Sequence, residues 1–430
     1  MTAFNGKKKL LVLDTSYTLE MIRDLRLYAP VLARDLNGYF EHVWSVHPLA
    51  TVIPPKNIHE TYGKITTTVF ADRHTIMECK VGRFSFLKRI PLLNLSISQI
   101  CILAALAKLI RKEGIDVIRA TDPTYIGLMG FLLSRMYGIP LVIRMTGNFD
   151  KIYEVTGKPT LPRLFRRRWI EKIVVRFILK RADLVACANE NCREFVIKNG
   201  VRKEYTTVFR YGNLIHPAHR VPPCDRPSAD LLIKGLRISD TPFVIYIARL
   251  EAIKRQDHVL KVIAELKKRG KDIKAVLVGD GSMQNSLSVL AKELSIDKNI
   301  IFAGNKDQEW IAAVLPRALA VLSPHSGRAL CEAALAGAPI VAYDFEWQSE
   351  LITAGKTGEL VGDGDIKAMA DSVIKYFSNP DYAKRMGENV RVKALEMMDP
   401  IKLCEHEKNE YDKLLARYFL KKRNAQELKV

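Results

Sequence analysis

The stretch LSPHSGRALCEAALAGAPIVAYD, residues 322–344, decides the fold. ALAVLSP (318–324) reads as a buried strand, HSG (325–327) as a tight loop, and RALCEAALAG (328–337) as a short helix of small residues. Gly337 stops the helix and Pro339 opens the next strand. Strand, loop, helix and strand in this order form the unit from which parallel sheets are built. The loop frees backbone N–H groups near Ser326, Gly327 and Arg328, a ready site for an anion. Glu332 lies one turn further on the same helix. Its carboxylate can accept hydrogen bonds from two neighbouring hydroxyls of a sugar attached to a phosphate at the loop. The competing role is a surface ion pair with Arg328 at i, i+4. A small-residue helix between core strands has little solvent face to spare, which favours the first role.

The same alternation extends outward. Strands are expected at 8–16, 40–49, 115–122, 140–147, 182–189 and 205–212. After the proline-rich IHPAHRVPPCDRPS (215–228) they resume at 241–250, 273–281, 299–304, 318–324, 339–344 and 357–365. Helices fill the gaps, as in QDHVLKVIAELKKRG (256–270), which ends on a glycine. The expectation is an α/β chain of two doubly wound, Rossmann-like domains facing across a cleft. The boundaries are 1–212, a linker at 213–228, and 229–400. A basic helix at 401–430 is expected to pack back on the first domain. In such sheets ligands bind beyond the carboxyl ends of the strands.

The 430 residues carry 67 Lys+Arg against 47 Asp+Glu, a net +20 that is uneven along the chain. Residues 1–200 hold 31 basic against 17 acidic residues, so an anionic partner is expected in that half. Seven scattered cysteines, none in a CxxC pair, argue against a disulfide framework or zinc site and for a reducing compartment. The N-terminus reads as a first strand rather than a signal peptide. The apolar run 97–110 is broken by Gln99 and Lys108 and reads as a buried helix too short to span a bilayer.

Other strand ends carry chemistry. In IARLEAIKRQD (247–257), Arg249 and Lys254 flank a loop where two cations would neutralise a diphosphate without a metal. VLVGDGSM (276–283) places Gly279, Asp280 and Gly281 at another strand end, and FAGNKD (302–307) a third turn; each alone is a common turn sequence.

Taken in order, these segments resemble the C-terminal domain of the retaining, nucleotide-sugar-dependent glycosyltransferases of the GT-B fold, over roughly residues 243–365. The resemblance implies Arg249 and Lys254 at the donor diphosphate, Glu332 at the ribose hydroxyls and backbone near Asn305 at the base, with Gly279 a further donor-binding candidate. Glu350 in FEWQSELI falls near the donor sugar or phosphate. Glu332 matches the second acid of the family's Glu-x7-Glu motif, whereas Pro324 stands where the first would fall, leaving His325 as the candidate replacement. In the first half, Ser16, Tyr17 and Thr18 occupy the turn where many members carry Gly-Gly. LVIRMTGNFD offers Asp150 where many members place a histidine. Asp150 and Asp122, in RATDPTY, are the candidate bases; helix capping competes for Asp122, which precedes Pro123.

The implied reaction is transfer of a hexosyl-type sugar from a UDP- or GDP-linked donor to an acceptor hydroxyl with retention. It needs no metal and no cofactor beyond the donor, because Arg249, Lys254 and the loop at Gly327 would stabilise the leaving diphosphate. The segment 161–184 alternates Arg163, Arg166, Arg167, Arg168, Lys172, Arg176, Lys180 and Arg181 with apolar residues, a pattern that can lie on anionic lipid. The expectations are thus a glycan or lipid-linked acceptor in cell-surface polysaccharide or glycolipid assembly, and a cytoplasmic site at the inner membrane face. A UDP-sugar 2-epimerase-like enzyme of the same fold is the alternative. A nucleic-acid-binding protein is the more distant one, since no recognised module or stacking platform is present.

Overall fold

The computed structural model describes residues 8–24, 26–50, 61–162, 164–226, 229–236, 238, 241–325 and 327–427. Two compact units emerge. The first comprises Met1–Asp150, Lys158–Asn213 and Pro400–Val430, the second Lys151–Gly157 and Leu214–Asp399.

The first unit is built on strands β1 (Lys8–Leu13), β2 (Phe40–His47), β3 (Thr66–Ala71), β4 (His74–Glu78), β5 (Val117–Ala120), β6 (Leu141–Met145), β7 (Leu184–Cys187) and β8 (Thr206–Val208). They lie in the order β3-β4-β2-β1-β5-β6-β7-β8, parallel except for the β3–β4 pair. Strands covered on both faces are apolar throughout rather than alternating, as Leu10–Leu13, all fully buried, show. That is why the sequence announces them. The β3–β4 hairpin was not foreseen. Its edge strand TTTVFA has no fully buried residue, so it lacks the apolar signature of its neighbours.

Alternate residues of one strand serve opposite faces of the sheet. On one face Leu10, Val12, Val43, Val117, Val142 and Leu184 pack against Cys404, Tyr411, Leu414 and Leu415 of the C-terminal helix Pro400–Glu427. Beneath that helix lie two buried arginines, Arg119 on β5 and Arg144 on β6. The Arg119 guanidinium donates to the Tyr411 hydroxyl at 3.3 Å. Buried Glu407 is raised by desolvation, an effect that Arg144 and Arg119 oppose. On the other face Gly130 allows the helix Tyr125–Tyr137 to approach Leu13 and Leu141; a Cβ there would come within 3.0 Å of Leu141 Cδ1.

The second unit holds β9 (Phe243–Ile247), β10 (Lys274–Val278), β11 (Ile300–Gly304), β12 (Ala320–Ser323), β13 (Ile340–Asp344) and β14 (Glu359–Gly362). Their order is β11-β10-β9-β12-β13-β14, all parallel. The foreseen helix at 256–270 spans Gln256–Lys268, with Gly270 beyond it at φ +71°. Both sheets are doubly wound.

Three segments differ from expectation. The run 97–110 belongs to a longer helix, Pro91–Glu113, because Pro91 suits its first turn and Gly114 (φ +64°) its cap. At 23 residues it is long and apolar enough to cross a bilayer by length and composition. Of the basic segment 161–184, only Arg168–Leu179 is helical, and Arg163 lies outside the described residues. The proline-rich segment is wound into short 3-10 turns, Pro217–Arg220 and Pro223–Asp225. It is anchored in the second unit through fully buried His219 and an Arg226 Nη1 to Ala312 O bond of 2.6 Å.

The C-terminal helix therefore completes the core of the first unit. Tyr411→Ala is expected to destabilise that unit by about 3–5 kcal/mol. Hydrogen exchange should show β1 and β5 amides losing protection while β9 and β12 amides keep theirs.

Candidate active site

In the second unit the strand order reverses between β9 and β12. The loops leaving their carboxyl ends must part there and open a crevice. The β9 loop carries Lys254 and the β12 loop carries His325 and Gly327. With Tyr246, Ala248, Ser323 and Arg328 they line a cavity of about 140 Å³.

Backbone contacts hold the β9 loop in place. Ala248 N–H donates to Val278 O at 3.0 Å and Leu250 N–H to Asp280 O at 2.9 Å. This proximity explains the two glycines of GDG. A Cβ on Gly279 would lie 2.0 Å from Ala248 O, and one on Gly281 2.4 Å from Leu250 O. The Tyr246 hydroxyl donates to Lys254 O at 2.6 Å, and Gln256 Nε2 to Arg249 O at 2.7 Å. Tyr246 and Gln256 were not singled out in the sequence, because each looks like ordinary strand and helix filling.

So fixed, Lys254 Nζ lies 3.4 Å from His325 Nδ1. A Cβ on Gly327 would be 3.8 Å from that nitrogen, so the ammonium sits over the start of the helix Arg328–Ala336. Burial pushes Lys254 down to about 8. Arg249 adds to the effect, while Glu346 and Glu251 oppose it. Among the described residues no carboxylate forms an ion pair with Lys254. Glu346, another group that the sequence reading passed over, is felt only at longer range.

Arg249, the other cation expected at a diphosphate, does not line the cavity. Its side chain is 71% exposed and Nη1 pairs with Glu251 at 3.0 Å. Glu332 is buried, its side chain 4% exposed, and Arg328 Nε reaches its Oε1 at 3.1 Å. The i, i+4 pair is therefore formed, but on a buried carboxylate rather than at the surface. Oε2 has no protein partner among the described residues. Behind it His219, with Nε2 2.9 Å from Gln308 Oε1, is lowered by burial against the opposing pull of Glu332.

The remaining candidates scatter. Gly279 (φ +134°) and Gly304 are bridged by a 2.9 Å N–H to O bond, which sets Asn305, exposed, at the mouth of the neighbouring turn. Glu350 is half-buried on the short helix Gln348–Leu351 and is felt by Lys393, away from the cavity lining. Ser326 lies outside the described residues.

The two candidate bases belong to the first unit. Asp150 is paired with Arg168 at 2.5 Å and Lys172 at 3.6 Å. Asp122 accepts the Thr124 N–H at 2.7 Å and the Thr124 hydroxyl, a turn-capping arrangement just before the helix Tyr125–Tyr137. Burial pushes Asp122 up to about 6, and Asp14 adds to the rise.

Two family descriptions match this chain: Glycosyl transferases group 1 over residues 230–393, and Glycosyltransferase Family 4 over residues 66–212. The chain belongs to the GT-B glycosyltransferases. Over 269 residues this glycosyltransferase is 26% identical to alpha-D-kanosaminyltransferase of Streptomyces kanamyceticus, covering 60% of the chain and 67% of the relative. It is 24% identical over 317 residues to N-acetyl-alpha-D-glucosaminyl L-malate synthase of Bacillus anthracis, covering 72% and 78%. Its fold is similar to that of sucrose-phosphate synthase from Thermosynechococcus elongatus (TM-score 0.73, 18% identity, 95% and 100% coverage). Anabaena HepE in complex with UDP-glucose gives TM-score 0.68, 18% identity and 94% and 99% coverage.

A carboxyl group with a raised pKa in the folded state favours folding below its unfolded pKa and loses that contribution as pH rises through the folded value. For Asp122 the window runs from 3.8 to about 6. Asp122→Asn, which keeps the acceptor oxygen for Thr124, should stabilise the protein by about 1–3 kcal/mol at pH 7.5 and little at pH 4. Denaturant titrations at the two pH values measure the difference.

Proposed function

We propose that this glycosyltransferase moves a hexosyl-type sugar from a UDP-linked donor to an acceptor hydroxyl with retention of anomeric configuration. The observation that carries the reading is Lys254, a half-buried ammonium that forms no ion pair among the described residues, set over the start of a helix that offers Glu332 one turn later. A diphosphate brings negative charge to both the lysine and the amides at the helix start. Its ribose then falls to Glu332, whose Oε1 is held by Arg328 and whose Oε2 can take a hydroxyl. The relatives' names describe sugar transfer, and the HepE structures hold UDP and UDP-glucose, which favours uracil over guanine.

In the reaction the bond from the anomeric carbon to the diphosphate oxygen breaks and one to the acceptor oxygen forms. The acceptor proton departs and UDP leaves carrying the developed charge. Lys254, Arg328 and the amides at Gly327 stabilise that charge where it appears. Arg249 joins them by turning from Glu251, an exchange that costs little for so exposed a pair. His325, beside the ammonium, takes the place next to the donor sugar left by Pro324. Of the two candidate bases we retain Asp122, since Asp150 is already neutralised by two cations. The acceptor is a glycan or glycolipid precursor. Seven free thiols support a reducing, cytoplasmic setting.

Calorimetric titration tests the donor site. Wild-type protein should bind UDP about tenfold or more tightly than 2′-deoxy-UDP, and Glu332→Ala should erase that preference. An unchanged ratio in the variant would sink the assignment. Lys254→Met should weaken UDP roughly 10–100-fold. Because Lys254 is charged below about 8, wild-type affinity should fall as pH rises through that value, and the variant's should not follow it. Product anomeric configuration, read by NMR from a panel of UDP-sugars, decides retention.

A further inference from the structure

The positive charge of the first half is concentrated. Segments 81–113, 123–139 and 159–182 together contain fifteen Lys+Arg and only two carboxylates, Glu113 and Glu171. The rest of residues 1–200 is nearly neutral, so almost the whole excess sits on these three segments.

Their helices lie side by side on the first unit. The Tyr125 hydroxyl bonds Gln99, joining Tyr125–Tyr137 to Pro91–Glu113. Phe131 and Phe177 meet edge to face at 5.4 Å, joining Tyr125–Tyr137 to Arg168–Leu179, and Arg135 Nη2 donates to Arg181 O at 2.8 Å. Each carboxylate cancels one of these cations and leaves the others in excess. Glu171 is fully buried, bonded to Arg168 and to Thr160 N–H, and Glu113 is paired with Lys9 and Lys112.

The outer surface of the same helices is apolar as well as cationic. Leu92 (78% exposed) and Ile100 (65%) protrude from the first, Leu132 and Met136 from the second, and Trp169 (60%) and Ile173 (59%) from the third. Lys88, Arg89, Lys108, Arg135 and Lys180 stand exposed among them, as does Lys172, which shares Asp150 with Arg168. Although Pro91–Glu113 has the length to span a bilayer, its inner side is tied down. Asn94 Oδ1 accepts Arg83 N–H at 2.7 Å, and Gln99 Nε2 donates to Pro48 O at 3.1 Å. It lies along the unit and presents one stripe outward.

We infer that this three-helix face docks on an anionic lipid surface. Apolar side chains enter the acyl boundary, tryptophan sits at the headgroups, and the surrounding lysines and arginines neutralise lipid phosphates. The segment 161–184 considered by itself supplies only one of the three helices. A protein partner or second copy would be expected to meet charges of both signs, which this face does not offer. The inference does not depend on the donor site.

The test is co-sedimentation of the full-length protein with vesicles of phosphatidylcholine alone or mixed with phosphatidylglycerol, at low and high salt. Wild-type protein should sediment with the mixed vesicles and largely stay in solution with phosphatidylcholine alone, with binding reduced at high salt. The double variants Ile100→Glu/Ile173→Glu and Lys88→Glu/Arg89→Glu should each lower the bound fraction about tenfold while keeping the wild-type melting temperature. Ile100→Ser/Ile173→Ser serves if the glutamates prevent folding. Equal binding by variants and wild type overturns the proposal, as does failure of wild type to bind the mixed vesicles. So does a wild-type dimer, seen by ultracentrifugation, that the Ile100/Ile173 variants split.

Discussion

A parallel sheet whose strand order reverses cannot keep all its connections on one face. In the second unit that reversal falls between β9 and β12, and the loops after those strands diverge around a hollow. Everything chemical in the unit hangs from this topological fact. The β9 loop is clamped to its neighbour because Gly279 and Gly281 permit carbonyl contacts that any side chain would block. The β12 loop leads into a helix rich in alanine, on which Glu332 is buried. Topology makes the opening, and glycine and alanine set how closely its walls approach.

The electrostatics follow from the same geometry. A lysine on an open surface would sit near its ordinary pKa; Lys254 is lowered by the walls around it and by Arg249. Its near neighbour is an imidazole, and Glu346 acts on it from further away. Glu332 shows the complementary situation, with one oxygen satisfied by Arg328 and the other without a partner among the described residues.

Legibility in the sequence tracked burial. The central strands were foreseen because continuous apolar runs such as FVIYI mark them, whereas the buried strand His74–Glu78 passed unread because HTIME holds few apolar residues. The Thr66–Ala71 hairpin strand escaped because an exposed edge may be built from threonines as well as from valines. Lys254 was picked out because strand-end loops concentrate such residues, and it lines the cavity; Gly279 and Glu332 lie outside that lining. The placement of Arg249 outside the cavity lining was not legible, since a long flexible side chain takes its direction from neighbours such as Glu251. His219 was hidden in a proline-rich run that resembled a spacer, and only tertiary packing shows it buried near Glu332. The extent of the Pro91–Glu113 helix was underestimated because its buried Asn94, Ser98 and Gln99 look polar until their bonds are seen.

The C-terminal helix has a consequence for biosynthesis. The chain leaves the first unit at Asn213 and returns to it only at Pro400, so the apolar sheet face around Leu10 and Val142 waits for residues such as Tyr411 and Leu415. On the ribosome, the later-encoded unit has its full complement of residues before the earlier one. Until that helix is translated, the nascent N-terminal half must expose a large greasy surface, and a chain cut short before Pro400 would lose the packing of the portion made first.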